Sequence, residues 1–230
     1  MNHINPFYKH LGKFLLSLLF CVGLLFISSQ AQEFDGKLPP TDLNDIEAIQ
    51  LYSQSELIRL INQNTHLQRV KFDRCQLVED IEARATVLEI PAYQFLWGDM
   101  LAWGVCVERN PKLGILYMQE SASQGFPAGL EHLGRYARTG TLVNQDFNKA
   151  VLYLREASAL GSEKALLQLV DLFLEGHGSP YDYQDAYIWL SQVITADKDY
   201  QASIVNKREL LAQRMSGQSI RIADEYLKTQ

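Results

Sequence analysis

Cys106, in the stretch "PAYQFLWGDMLAWGVCVERN", could serve as a nucleophile, a metal ligand or a structural thiol, and its only partner candidate outside the first 31 residues is Cys75. An even pair of cysteines in an oxidising compartment most simply forms a disulfide. A second reading leaves two buried thiols that never meet. Metal ligation is the weakest of the three, because neither cysteine has another Cys or a His at zinc-site spacing. The remaining candidates for chemistry are His66, His132 and His177. His132 falls inside a helical apolar pattern and His66 near a helix end, so both read as ordinary packing or surface residues. His177, in "LEGHGSP" with Asp171 and Glu175 upstream, is where a hydrolytic site would have to be. No G-x-S-x-G elbow, H-E-x-x-H helix or phosphate-cradling glycine loop accompanies it. The chain therefore reads as non-enzymatic, with no catalytic residue, cofactor or metal ligand assigned.

Other residues read as surfaces. Glu79, Asp80 and Glu82 flank Arg84 on one predicted helix. They form either a solvated face with a local ion pair worth a few tenths of a kcal/mol or an acidic docking strip for a basic partner. Trp97 and Trp103 are six residues apart and cannot both lie centrally on one helical stripe. One is expected in the core and the other partly exposed as an interface anchor. Tyr181 and Tyr183, in a loop, are similar interface candidates.

The oxidising compartment follows from the start of the chain. Lys9 and Lys13, the apolar run Phe14 to Ile27, and small residues at Ser29 and Ala31 read as a cleaved secretory signal over residues 1–31. The run is shorter than the 20 or so residues a bilayer span needs. Removing the leader takes away Lys9, Lys13 and no acid, which moves the formal charge from −6 to −8. An acidic chain without a basic run is a poor nucleic-acid binder, and no small-molecule substrate is implied.

A repeat organises the rest. Shifting residues 91–125 by 36 positions lays them without a gap on residues 127–161. Gly98 then meets Gly134, Gly104 meets Gly140, Tyr117 meets Tyr153 and Gly125 meets Gly161. A further step puts Gly140 on Gly176, Asp146 on Asp182, Ala150 on Ala186 and Tyr153 on Trp189. Periods of this length mark solenoids. In each unit the first half is apolar at helical spacing and ends at a glycine suited to a left-handed cap. The second half opens at Asp146, a good N-cap. Gly98, Gly134 and Ala150 are expected where helices cross closely. The predicted fold is all-α: an α-solenoid of helix-turn-helix repeats over 91–126, 127–162 and 163–198. Residues 32–49 read as a flexible lead-in and 50–90 as N-terminal capping helices, with a capping box at Ser53 and Glu56 and a second helix over 72–89. Residues 199–230 read as two C-terminal helices parted near Ser216 and Gly217.

The residues Leu133, Gly134, Tyr136, Gly140, Asp146, Lys149, Ala150, Tyr153, Ala157 and Gly161 resemble the Sel1-like repeat, a relative of the tetratricopeptide class. The blocks "DRCQLVEDIEARA", "PAYQFLWGDMLAWGVCVERN", "GRYARTGTLVNQD" and "YDYQDAY" further resemble the MotX-like proteins of sodium-driven polar flagellar motors, over roughly Tyr52 to Lys198. That resemblance implies a periplasmic T-ring component partnered by a MotY-like protein, which helps recruit the stator through its B-type subunit. The alternatives are a general Sel1-type scaffold for another envelope complex and, further off, a hydrolase built on the His177 loop.

Overall fold

The computed structural model describes residues 51–230; the leader and the lead-in to residue 49 lie outside the described residues. These are helical throughout, with no strand among them. Three helices come first: α1 (Gln54–Asn62), α2 (His66–Phe72) and α3 (Val78–Thr86). Three repeat pairs follow: α4 (Pro91–Trp103) with α5 (Pro111–Ser123), α6 (Pro127–Thr139) with α7 (Phe147–Ala159), and α8 (Glu163–Glu175) with α9 (Tyr183–Gln192). The last two are α10 (Lys198–Ala212) and α11 (Gly217–Lys228). None of the described helices is long and apolar enough to cross a membrane.

The turn inside each repeat opens with the same pair of left-handed positions on three different sequences. Gly104, Gly140 and Gly176 end the first helices with φ of 68°, 73° and 92°, the left-handed conformation glycine adopts without a Cβ penalty. Two residues later the backbone is left-handed again, at Cys106, Leu142 and Gly178 (φ 62°, 62° and 86°). Asn110 and Asp146 then cap α5 and α7, their side chains accepting from the Leu113 and Lys149 amides at 3.2 and 3.0 Å.

Small residues set how closely each pair packs. In the first repeat Gly98 faces Gly114: a Cβ on Gly98 would stand 2.7 Å from the Gly114 carbonyl oxygen. In the second, Gly134 lies against the Leu154 side chain, with buried Ala150 at the place of Gly114. In the third, Val170 and Ala186 hold these places, both fully buried.

Successive repeats are joined by polar bonds 36 or 37 residues apart. Gln168 Nε2 donates to Glu131 at 2.5 Å, Arg138 to Glu175 at 2.6 Å, Tyr200 Oη to Glu163 at 3.2 Å and Tyr187 Oη to Asp224 at 3.2 Å; Lys207 pairs with Asp171. This spacing carries through α10 and α11, where the sequence motif has faded.

The N-terminal part differs from its sequence reading. The helix expected over 72–89 starts only at Val78, and the short α2 precedes it. Between them Arg74 and Cys75 turn through φ of 53° and 60°. Asp73 anchors this turn, accepting from Tyr52 Oη at 2.7 Å and from Arg69 Nε at 2.8 Å. Burial and the bond to Asp73 push the Tyr52 phenol above its ordinary value. Only half of the capping box forms: Ser53 accepts from the Glu56 amide, while the Glu56 carboxylate turns to Arg69 at 3.4 Å. Arg84 pairs with none of the acids beside it; its guanidinium lies 5.2 Å from the Tyr93 ring centre, a cation–π contact.

Candidate partner-binding surface

The cysteine pair sits where two turns meet. Cys75, between α2 and α3, and Cys106, between α4 and α5, are joined by a disulfide with 5.5 Å between their Cα atoms. The bond ties the N-terminal helices to the first repeat.

The interface candidates divide by burial. Glu79 and Asp80 are exposed on α3. Tyr181 is 94% exposed in the short 3₁₀ turn Pro180–Asp182. Trp97 is 6% exposed and Tyr183 only 7%, so neither can anchor a partner from the surface. Tyr183 belongs to the core, its ring 4.9 Å from that of Phe173. The sequence places it in a loop, but α9 begins at Tyr183 itself and turns it inward. Trp103 is 44% exposed, on the last turn of α4.

Trp103 is the outer end of a buried polar chain. Its indole Nε1 donates to Tyr136 Oη at 3.3 Å, and that hydroxyl faces Asp99 Oδ1 at 3.4 Å. His66 Nε2 lies 2.7 Å from Asp99 Oδ2; facing a carboxylate, this nitrogen carries the proton. His66 Nδ1 is buried without a partner. Burial and the Asp99 charge raise the Tyr136 phenol to about 12. Asp99 lies within the apolar run "FLWGDMLAW", and a buried charge needs a partner. That lone acid was the available signal for a chain the sequence reading missed.

A second buried pair adjoins it. His132 Nδ1 stands 2.8 Å from Glu131 Oε2 and 3.1 Å from the Ala128 carbonyl. Burial on its own would raise the Glu131 carboxyl. The hydrogen bonds and charge of His132, with Gln168 and Arg135, outweigh it and hold the group at about 2. The Phe95 ring separates the two histidines, with centroid distances of 5.5 Å to His66 and 4.7 Å to His132. Both histidines are thus packing residues with polar tethers.

In the His177 loop each of the three candidate groups is engaged by a different neighbour. The imidazole stacks on Phe147 at 3.9 Å, Glu175 is engaged by Arg138 and Asp171 by Lys207. Among the described residues no three His, Cys, Asp or Glu side chains are grouped to hold a metal ion.

What the molecule does offer is a grooved, mostly apolar relief. A groove of about 840 Å³ between α7 and α9 is walled by Leu152, Tyr153 and Trp189 and rimmed by Lys149, Glu156 and Asp185. A smaller cavity of about 260 Å³ lies where α1 approaches α6 and α8. There Lys164 donates to the Asn62 carbonyl, joining residues 102 positions apart.

Comparison with known proteins gives this relief a family. The Sel1 repeat model matches residues 91–126, 127–162 and 165–193. The sodium-type polar flagellar protein MotX of Vibrio parahaemolyticus is 54% identical over 167 residues, which is 73% of this chain and 79% of that protein. The chain belongs to the MotX family. Two solved structures are also similar, each at 20% identity. A Sel1 repeat protein from Oxalobacter formigenes gives a TM-score of 0.45 over 66% of this chain and 98% of its own. A protective antigen of uropathogenic Escherichia coli with an SLR fold gives 0.46 over 61% and 29%. In MotX-family terms, the array here is three Sel1 repeats framed by α1–α3 and α10–α11, stapled at its first repeat.

Proposed function

We propose that this chain is a non-enzymatic periplasmic adaptor of the polar flagellar motor. It is a T-ring component that works with a MotY-like protein and helps recruit and hold the sodium-driven stator through the periplasmic region of the B-type subunit. The observation that carries this reading is the 54% identity to MotX across most of both chains. The cysteine pair supports an oxidising compartment, and an array with exposed Trp103 and Tyr181 supports a protein-binding role. The acidic strip at Glu79 and Asp80 is the candidate contact for a basic partner.

Deleting the gene in its own host tests the reading. Cells that still carry filaments but do not swim are the expected result, with swimming restored by the intact gene. Normal swimming would overturn the flagellar assignment and favour a general Sel1-type scaffold. Charge reversal at Glu79 and Asp80 that left pulldown of a MotY-like partner unchanged would remove the acidic strip from the interface.

A further inference from the structure

α10 holds the place of the first helix of a fourth repeat, but among the described residues no second helix lies along it. Two repeats upstream, the counterparts of Ala202, Val205, Asn206 and Glu209 are Leu130, Leu133, Gly134 and Ala137. All four are buried, Gly134 directly against Leu154 of α7. In α10 these positions are open. Ala202, Asn206 and Glu209 are exposed and Val205 half-buried, and together with Thr195 and Ala196 they wall a groove of about 510 Å³. Beside it Ile194 is 94% exposed, an aliphatic side chain left at the edge of an apolar trough.

The connector explains the vacancy. In the three repeats the first helix reverses into the second through Gly104–Asn110, Gly140–Asp146 or Gly176–Asp182, each with two left-handed positions. α10 is joined to α11 by only Gln213–Ser216, none of them left-handed. This link lacks the seven-residue turn that reverses each first helix into its second. α11 packs instead on α9, where Tyr187 bonds Asp224, and the face of α10 that a second helix covers in every other repeat is left bare.

We propose that this groove seats an amphipathic helix supplied by a partner protein, completing the fourth repeat in trans. The occupant is specified by continuity with the helix pairs of the array. It runs antiparallel to α10 and sets large aliphatic side chains at i, i+3 or i+4, and i+7 against Ala202 and Val205. Lys198 and Glu209 at the two ends of the groove favour an acid near the helix end that meets Lys198 and a base near the end that meets Glu209. The inference concerns the array itself, so its failure would leave the flagellar reading untouched.

A peptide with the sequence of residues 146–161, stapled to hold its helix, is the probe, because it spans the helix that fills the equivalent place in the second repeat. Titrated into the isotope-labelled protein, it is expected to shift the amide signals of Ala202, Val205 and Glu209. Val205→Arg and Ala202→Arg should each weaken binding about tenfold or more while leaving the melting temperature unchanged, since neither side chain is in the core. Three results would each overturn the proposal: no shifts in α10, an affinity indifferent to Val205→Arg, or the same shifts arising from dimerisation of the protein alone, which would make a second copy the occupant.

Discussion

Gly98 and Gly114 meet backbone to backbone: a methyl group on Gly114 would stand 2.5 Å from the Gly98 carbonyl oxygen. At Gly134 the nearest obstacle is instead the Leu154 side chain, at 2.6 Å, a softer contact than a carbonyl held in a helix. Alanine gains roughly 1 kcal/mol of helix propensity at either site, but the backbone clash in the first repeat leaves nothing to move except the helices. Gly114→Ala and Gly98→Ala should destabilise by about 1–3 kcal/mol, with Gly134→Ala markedly milder. Urea unfolding of the three variants compares them; equal losses would contradict the backbone-contact account.

Removing the Cys75–Cys106 bond, which closes a 31-residue separation, should lower stability by about 3–4 kcal/mol. Reduction and the double alanine variant should agree. Identical melting with and without reductant would show that the bond contributes nothing.

Glu131 makes stability depend on pH in a definite direction. Its carboxyl is held at about 2 against an ordinary 4.5, so its contribution is fully present above pH 4.5 and is lost as pH falls from there towards 2. The loss is on the order of 3 kcal/mol. Acid titration of Glu131→Gln beside the natural protein should show a shallower decline over that interval.

The buried pair of His66 and Asp99 should couple strongly. Asp99→Ala strands His66 and Tyr136 and is expected to lose about 3–5 kcal/mol. The double change His66→Phe with Asp99→Leu should lose less than the sum of the single changes, which a double-mutant cycle measures.

Tyr181 and Tyr183 separate surface from core two residues apart. Tyr183→Ala should destabilise by about 3 kcal/mol, whereas Tyr181→Ala should stay within about 0.5 kcal/mol. Any effect of the latter should appear in partner pulldown alone.

The parts of this fold that repeat were legible in the sequence. Gly104, Gly140 and Gly176 end their helices in the left-handed conformation, Asp146 caps α7, and Gly98 and Gly134 lie at crossings, because each is a local demand met by one residue type and echoed 36 positions later. What was lost was set by distance in the chain. α2 has only seven residues, too few to show a helical period, and its end depends on Asp73 being held by Tyr52 and Arg69. Arg84 had acids as near neighbours but lies over Tyr93. The second left-handed position carries Cys, Leu and Gly in turn, so no residue type announces it. The candidate surface was half legible: amphipathic spacing divides exposed from buried in long helices, but it did not reveal where α9 begins and hence where Tyr183 points.

The disulfide between the α2–α3 and α4–α5 turns gives the molecule a mechanical polarity. A pull on the N-terminal side unravels α1 and α2 and then reaches a covalent bond, which passes the load to Cys106 and keeps α3 and α4 out of its path. A pull on the other side meets only the packing of Ile204, Leu211 and Ala223, the buried residues of α10 and α11, and a few polar bonds. Stretched between two attachments, the array yields at its ends, α11 on one side and α1 and α2 on the other, while α3 and α4 stay inside a covalent loop, as a rope holds where it was spliced.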